Sequence, residues 1–357
     1  MRRATQALTV LAELDPARRA TLEQRLAEIA ASPDDNPWFA PGELPDTHFT
    51  RFVIVDDPRG ELPALLAWEA NHDGAADAYL EAIARGAPRI EQLLACCRGY
   101  PPSGIADLEA WLAWIRPRRH RAAAFYTGYR GVARSTVVND REVHDELRHV
   151  LDAEDRRALR FLSRHELQRR LCAAVRHRRP MLDLSPADDL AWLRLLGLRI
   201  ATVIAWLPLI LLAIALALPW YLVLRHREST DLASAYARPV GVPAAVGALE
   251  DVGRQNPLTH LVDIKPGWFR LTTLRLVLAL IDALARIYAV HGDLGGITAI
   301  HFARWVILYD RRPGRRDRRH RLLFLSNYDG SWESYLGEFV DRAAPWLTAV
   351  WSNTRGF

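Results

Sequence analysis

The sequence is poor in cysteine and contains almost no lysine. Its three cysteines, Cys96, Cys97 and Cys172, lack the spacing of a metal-ligand set, and two adjacent cysteines are poor partners for each other. A disulfide framework is therefore not expected, and a reducing compartment is favoured. Among the 47 basic residues Lys265 alone is a lysine, which we attribute to a GC-rich genome.

Several common sequence signals are also absent. The N-terminus lacks the continuous apolar run of a signal peptide, because Gln6, Thr9 and Glu13 interrupt it. We find no P-loop, no G-x-G-x-x-G fingerprint, no H-E-x-x-H motif and no G-x-S-x-G nucleophile elbow. With 357 residues, 50% of them hydrophobic and 25% charged, the chain is instead suited to two domains with full cores.

The most informative feature is an internal duplication. Residues 47–55 read THFTRFVIV and residues 300–308 read IHFARWVIL. Downstream, Asn-His-Asp-Gly at 71–74 corresponds to Asn-Tyr-Asp-Gly at 327–330. In both copies an acidic residue and then a Tyr-Leu pair follow. Because a repeat governs the whole architecture, it ranks above any local motif.

Each copy is predicted to follow the order β-α-β-β-α-β, the ferredoxin-like pattern. In the first copy we expect strands at 7–14, 48–55, 62–70 and 122–128, with an inserted helix at 108–115. In the second copy we expect strands at 258–264, 297–308 and 321–325, and helices at 274–290 and 331–350. The chain reaches Phe357 without a counterpart of the strand 122–128. We therefore predict an α+β fold with units at 1–152 and 257–357, the second lacking its fourth strand through truncation.

The region between the units contains a long apolar run. A charged helical connector is predicted at 153–199, an uncharged segment at 200–224 and an Ala/Gly/Pro-rich linker at 225–256. As a helix the uncharged segment would measure about 37 Å, enough to cross a hydrocarbon core. We predict a membrane-embedded helix or hairpin, with a buried helix as the alternative. A hairpin bent at Pro208 and Pro219 is favoured, because it keeps both units on one side of a bacterial inner membrane, the cytoplasmic side.

The repeated polar residues are the candidates for chemistry. Strand periodicity places the histidine and arginine of each copy on opposite faces unless a bulge intervenes. An aspartate before glycine also has a structural explanation, because it can cap the helix that follows. The candidate catalytic residues are Asp329, Arg304, His301 and Asn327, and their first-copy equivalents are Asp73, Arg51, His48 and Asn71.

Asp329 is assigned an acid/base role and Arg304 the stabilisation of a bound peroxide or anion. Aromatic residues peculiar to the second copy, Tyr328 and Trp332, are candidates for a cofactor pocket, although core packing also explains them. Lys265 is a further candidate, because a lone lysine in an arginine-using chain can mark a required ammonium group. No metal site is predicted.

The second copy also carries an arginine-rich hairpin at 311–321. Such a run suits anionic lipid headgroups, at about 1 kcal/mol per basic residue near the surface. Nucleic acid is not expected as the partner, and a merely solvated hairpin is an equal alternative. The arginines assigned to the membrane surface are Arg311, Arg312, Arg315, Arg316, Arg318 and Arg319.

Two fused ferredoxin-like units resemble the dimeric α+β barrel proteins, which include dye-decolorising peroxidases and chlorite dismutases. Asp329-Gly330 is similar to the end of the peroxidases' G-x-x-D-G motif, although Ser326 replaces its first glycine. The resemblance implies haem as cofactor, with Asp329 and Arg304 on its distal side; the haem-ligating histidine has no matched position. Within this group, the chain looks more similar to an uncharacterised branch of bacterial membrane-associated proteins with the same double unit than to the peroxidases.

The expected function is thus that of a membrane-associated, haem- or small-ligand-binding, peroxidase-like protein. A non-catalytic membrane scaffold using the hairpin 311–321 is the alternative, and a lipid-acting enzyme is a third possibility.

Overall fold

The computed structural model describes residues 5–33, 35–39, 44, 46–153, 162–184, 189–231, 255–288, 294, 296–309 and 319–356. The chain divides into two compact units. One contains both repeats (residues 1–132 and 232–357), and the other comprises residues 133–231.

The first repeat supplies four strands and four helices among the described residues. The strands are β1 (Thr5–Glu13), β2 (Thr47–Val55), β3 (Leu65–Asp73) and β4 (Ala124–Thr127); the helices are α1 (Arg19–Ala31), α2 (Ala76–Gly86), α3 (Glu91–Leu94) and α4 (Leu108–Ile115). Asp15 caps the 3-10 turn that leads into α1, with Pro16 in its first turn.

The other described elements follow β4 along the chain. The unit at 133–231 contains α5 (Arg134–Ala153), α6 (Arg164–Arg178) and α7 (Asp189–Thr230). The second repeat contains β5 (Gln255–Asp263), α8 (Trp268–Tyr288), β6 (Ile300–Tyr309), β7 (His320–Asp329) and α9 (Trp332–Trp351).

The strands form two antiparallel sheets, which gives the mixed α/β character expected from the sequence. The first sheet has the order β1-β3-β2 and the second the order β4-β6-β7-β5. The two central pairings correspond, because Thr5 lies opposite Asp73 at the end of β1-β3 and Gln255 opposite Asp329 at the end of β5-β7.

β4 does not complete the first sheet. The sequence assigns this strand to the first repeat, but it pairs with β6 of the second sheet, Phe125 lying opposite Arg304. Among the described residues the second repeat supplies three strands of its own, β5, β6 and β7, and β4 from the first repeat is the fourth strand of the second sheet. Local sequence specifies that a segment is extended, whereas its partner is selected by packing: Phe125 stacks on Phe302, and its N–H donates to Asp282 in α8 at 3.0 Å.

Each sheet packs helices on one face and the other sheet on its opposite face. The layer between the sheets contains apolar side chains from both repeats, and burial on both faces explains the near-continuous apolar strands. These residues are Leu11, Val53, Val55, Leu65, Ala67, Leu261, Val306, Leu308, Leu323 and Leu325.

Ion pairs close one end of this inter-sheet layer. Arg319 donates to both oxygens of Asp57, at 2.6 and 2.8 Å, and to Asp263 at 2.8 Å. These hydrogen bonds outweigh the opposing effect of burial and, with the backbone N–H groups of Glu61 and Leu62, hold the pKa of Asp57 at about 2. The ion pairs therefore join the loop after β2 to the second sheet.

The prediction of a membrane-embedded segment at 200–224 is wrong. This run is the middle of α7, one continuous helix that includes Pro208 and Pro219, so the chain does not turn back there as a hairpin. The helix extends beyond the uncharged run at both ends, from Asp189 to a last turn that contains Arg227. Within the described part of the chain, no helix has both the length and the apolar character that crossing a bilayer requires. The predicted inner-membrane location, which depended on this segment, is corrected with it.

Candidate functional site

A β-bulge occurs at the same position in both repeats. The register of β2 with β3 shifts between Thr47 and Phe49, and that of β6 with β7 shifts between Ile300 and Phe302. The extra residue is His48 in one case and His301 in the other. Each bulge turns its histidine onto the inter-sheet face, so His301 and Arg304 share a face despite their spacing.

Each of these histidines bonds to the aspartate at the end of the neighbouring strand. His48 Nε2 lies 2.9 Å from Asp73 Oδ1, and His301 Nε2 lies 2.8 Å from Asp329 Oδ2. The expectation that these aspartates cap the following helices is wrong. Ser331 caps α9 through its hydroxyl group, and α2 has no side-chain cap. The glycine after each aspartate does make the turn, with φ of 84° at Gly74 and 80° at Gly330.

The two His–Asp pairs differ in their access to solvent. The side chain of Asp73 is fully buried and also accepts a hydrogen bond from Thr5 at 3.0 Å. The side chain of Asp329 is 59% exposed, and that of His301 is 17% exposed. The first pair is therefore closed by the fold, whereas the second lies open at the end of the inter-sheet layer.

Aromatic rings connect and flank the two pairs. Phe49 contacts both His301 and Phe302, with ring centroids 5.8 and 5.3 Å apart, and His48 contacts Phe302 at 5.6 Å. Tyr129 stacks on His301 at 6.0 Å. The open pair thus lies against flat apolar surfaces that a small organic molecule can contact.

Two polar groups near the open pair have no hydrogen-bond partner among the described residues. They are the buried hydroxyl of Thr127 and the side-chain amide nitrogen of Gln255. Strand alternation places Thr127 on the face that Phe125 shares with Phe302, and Gln255 is the cross-strand neighbour of Asp329. Buried polar groups normally have partners, so these two are exceptions; both atoms are enclosed by protein rather than open to solvent.

Deeper in the layer, both repeated arginines bind one carboxylate. Glu69 forms ion pairs with Arg51 and, at 3.1 Å, with Arg304. Each guanidinium also crosses to the other repeat: Arg51 donates to the Leu258 carbonyl at 2.8 Å, and Arg304 to the equivalent Leu8 carbonyl at 2.6 Å. The two arginines thus perform matching structural roles on either side of the layer.

Arg304 and Asn327, both predicted to be catalytic, belong to this buried network. Arg304 is completely buried, and burial lowers its pKa to about 10. Its remaining contacts include the Thr9 hydroxyl at 3.1 Å and the side chain of Asn71. Asn327 in turn accepts a hydrogen bond from Asn71 at 3.2 Å. Of the four predicted catalytic residues, only His301 and Asp329 lie at the open end.

The predicted cofactor residues lie elsewhere. Tyr328 is on the opposite, helix-packed face of β7, where it stacks on Tyr335 with centroids 4.1 Å apart, and Trp332 contacts the same ring. Lys265 follows the far end of β5, where its backbone N–H donates to the backbone carbonyl oxygen of Asn353. The structure does not bring these three residues to the His301–Asp329 pair.

The arginine-rich hairpin is described only at its end. Arg319 is 10% exposed and ion-paired with acidic residues of both repeats, so it is part of the inter-sheet layer. The other predicted surface arginines lie outside the described residues; they are Arg311, Arg312, Arg315, Arg316 and Arg318.

Sequence reasoning missed Glu69 and the unpartnered groups. Glu69 was detectable as the lone acid inside an apolar strand, at the position that Leu325 occupies in the second repeat. Thr127 gives no such signal, because its strand joins the site only through the unforeseen pairing with β6. Within the described residues there is no cluster of three or more His, Cys, Asp or Glu side chains that could hold a metal ion.

No protein-family model matches this chain, and neither the curated proteins nor the solved structures gave a match. The resemblance to the haem peroxidases therefore depends on the repeated architecture and on the Asp329-Gly330 pair. The residues do not fit the distal arrangement that it implies, since Arg304 is completely buried and already bound by protein groups. Asp329 and His301, in addition, bond to each other.

Proposed function

We propose that the open end of the inter-sheet layer binds a small hydroxyl-bearing molecule, and that His301 accepts a proton from it. The contrast between the two repeats carries this proposal. A β-bulge at the same position in each repeat creates the same His–Asp pair, yet the fold buries Asp73 and leaves Asp329 exposed. A purely structural pair would not require this difference.

The proposed roles follow from the hydrogen bond between the two side chains. In the neutral imidazole the Nε2–H group donates to Asp329 Oδ2, which leaves Nδ1 as a proton acceptor. Asp329 orients the ring and stabilises the imidazolium that forms when Nδ1 takes the ligand's proton. Phe49 and Tyr129, whose rings lie against the His301 ring, contact the apolar part of the ligand.

A ligand-observed NMR screen tests this proposal with matched pairs of fragments that differ only in a hydroxyl or a methyl group. We expect the hydroxyl member to bind more tightly, and His301→Gln and Asp329→Asn to remove that preference. His320→Gln is the control, because His320 lies at the other end of β7. Equal binding of both members by the wild-type protein would contradict the proposal, as would a preference that survives in His301→Gln.

A haem titration in the same protein separates the proposal from the peroxidase alternative. The proposed site needs no haem, so the protein should remain without a Soret band. A band that disappears in His301→Gln would replace the acid–base proposal by a haem site.

A further inference from the structure

An apolar groove lies on the helix-packed face of the second sheet, at the edge formed by β5. It has a volume of about 700 Å³ and is lined by residues of β5, β7 and α9 and by the chain that follows α9. Its lining includes Leu258, His260, Val262, Leu336, Phe339 and Trp351. A concave and mostly apolar surface of this kind suits a ligand or the apolar face of a helix.

In the first repeat the equivalent face is covered by α4. Trp111 of this helix is completely buried, in the same apolar cluster as Leu8 and Val10 of β1 and Leu80 of α2. The helix contacts α2, and Arg119, which follows it, pairs with Val10 of β1. In the second repeat no element among the described residues takes the place of α4.

The side chains that are buried beneath α4 have exposed counterparts in the second repeat. The strand register equates Val10 with His260, and the repeated Tyr-Leu pair equates Leu80 with Leu336. Val10 is 1% exposed and Leu80 is fully buried, whereas His260 is exposed and Leu336 is 37% exposed. The burial of these positions therefore follows the presence of α4, because the sheet and the neighbouring helix are common to both repeats.

The acid that binds the basic end of α4 is also repeated. Asp77, in the first turn of α2, forms ion pairs with Arg116, at 3.2 Å, and with Arg119. Its counterpart is Glu333 in the first turn of α9, one residue after Trp332, which lines the groove. Glu333 is exposed and forms no ion pair among the described residues. The second repeat thus presents both the apolar surface and the acid without the helix that uses them.

We propose that this groove docks an amphipathic helix of a partner protein, with the features of α4. The helix carries two tryptophans three residues apart on its apolar face, as Trp111 and Trp114 are in α4, and arginines directly after its C-terminal end. The tryptophan face covers the groove, and the arginines pair with Glu333. A second copy of the chain does not supply this helix, because its own α4 is buried in its own first repeat. The groove lies on the opposite face of the sheet from the His301–Asp329 pair, so this inference is independent of the function proposed above.

The test uses a fluorescein-labelled peptide of residues 104–120, which contains α4 and the arginines after it. Its binding to the 357-residue chain is followed by fluorescence anisotropy, and we expect saturable binding of one peptide per chain. Leu336→Glu should weaken binding by more than about tenfold, because the docked helix would bury a charge. A peptide with both Trp111→Ala and Trp114→Ala should not bind.

A double-mutant cycle tests the pairing with Glu333. Glu333→Gln should weaken binding of the wild-type peptide about twofold to fivefold, the scale of an exposed ion pair. It should leave unchanged the affinity of a peptide that carries Arg116→Gln and Arg119→Gln. Asp341→Asn is the matched control, because it removes an exposed acid from α9 outside the groove lining and should change neither affinity.

Circular dichroism checks that each variant is folded. The proposal is overturned if the wild-type chain does not bind the peptide saturably, or if binding survives unchanged in folded Leu336→Glu, which would place the peptide elsewhere. It is also overturned if Glu333→Gln affects neither peptide. Sedimentation velocity gives the remaining outcome: a wild-type dimer that Leu336→Glu converts to a monomer would show that a second copy covers the groove.

Discussion

Asn71 and Asn327 occupy the same position in the two repeats, and the side chains of these two residues meet across the inter-sheet layer. The Asn71 amide donates to the Asn327 oxygen at 3.2 Å. Around this contact the arginines cross in opposite directions, Arg51 to the Leu258 carbonyl and Arg304 to the Leu8 carbonyl. The layer between the sheets therefore has an approximate two-fold arrangement of its polar groups, broken by Glu69.

Replacement of Glu69 should be strongly destabilising. Glu69→Gln leaves two buried guanidinium groups without their shared counter-charge, and breaking a buried ion pair in this way costs about 3 to 5 kcal/mol. Denaturant unfolding monitored by tryptophan fluorescence measures the loss. The control is Glu23→Gln, whose exposed pair with Arg19 is screened by solvent and should contribute little to stability. A loss at Glu69 no larger than the loss at Glu23 would show that the network is not structural.

The Arg319–Asp57 contact also predicts that two aspartates adjacent in sequence contribute differently to stability. Asp57 is buried against Arg319, whereas Asp56 forms an exposed pair with Arg19. We expect Asp57→Asn to lower the free energy of unfolding by about 3 kcal/mol and Asp56→Asn by less than about 1 kcal/mol. Similar losses in the two variants would contradict the assignment of Arg319 to the inter-sheet layer.

The Asp57 carboxylate also predicts a loss of stability at low pH. Because the folded-state pKa of Asp57 is lowered to about 2, its contribution is present above about pH 4 and is lost as the pH falls toward 2. Unfolding of Asp57→Asn should be less dependent on pH in this window than unfolding of the wild type. An unchanged slope would contradict the low pKa.

His72 predicts a pH dependence at milder acidity. It is fully buried and stacks on Tyr79, and burial lowers its pKa to about 4. Between about pH 6.5 and pH 4 the unfolded chain binds a proton that the folded chain does not, so stability falls with falling pH, by about 3 kcal/mol over the window.

Replacing His72 by phenylalanine should remove that dependence. The second repeat supports this choice, because it has the stacked ring of Tyr328 at the equivalent position. The measurement is the free energy of unfolding at pH 7, 5.5 and 4 for both proteins. If His72→Phe loses as much stability as the wild type between pH 7 and pH 4, the titrating group lies elsewhere.

The sequence was most informative where the two repeats agree. The paired stretches at 47–55 and 300–308 predict strands, and they form β2 and β6. The glycines of the repeated Asp-Gly pairs form the turns before α2 and α9 in both copies. The repeat also pointed to His301 and Asp329, and the stated condition for His301 to share a face with Arg304, a bulge, is met in both copies.

Three features could not be read from the pattern, for different physical reasons. The partner of β4 is selected by contacts of Phe125 that are distant in sequence. Whether Asp329 caps a helix or binds His301 depends on the bulge geometry and on the competing cap Ser331. The uncharged run at 200–224 has the length of a membrane span, but it belongs to one longer helix, from Asp189 to Thr230, whose ends are polar.

The most direct test of the account is residue-resolved carboxylate labelling, driven by a carbodiimide and read by mass spectrometry. Asp73 and Asp329 are compared within one molecule, with and without the tightest hydroxyl-bearing fragment. We predict that Asp329 is labelled, that the fragment slows its labelling, and that Asp73 stays unlabelled in both samples. Equal labelling of the two aspartates, or labelling of Asp329 that the bound fragment leaves unchanged, would contradict a ligand site at the open His301–Asp329 pair.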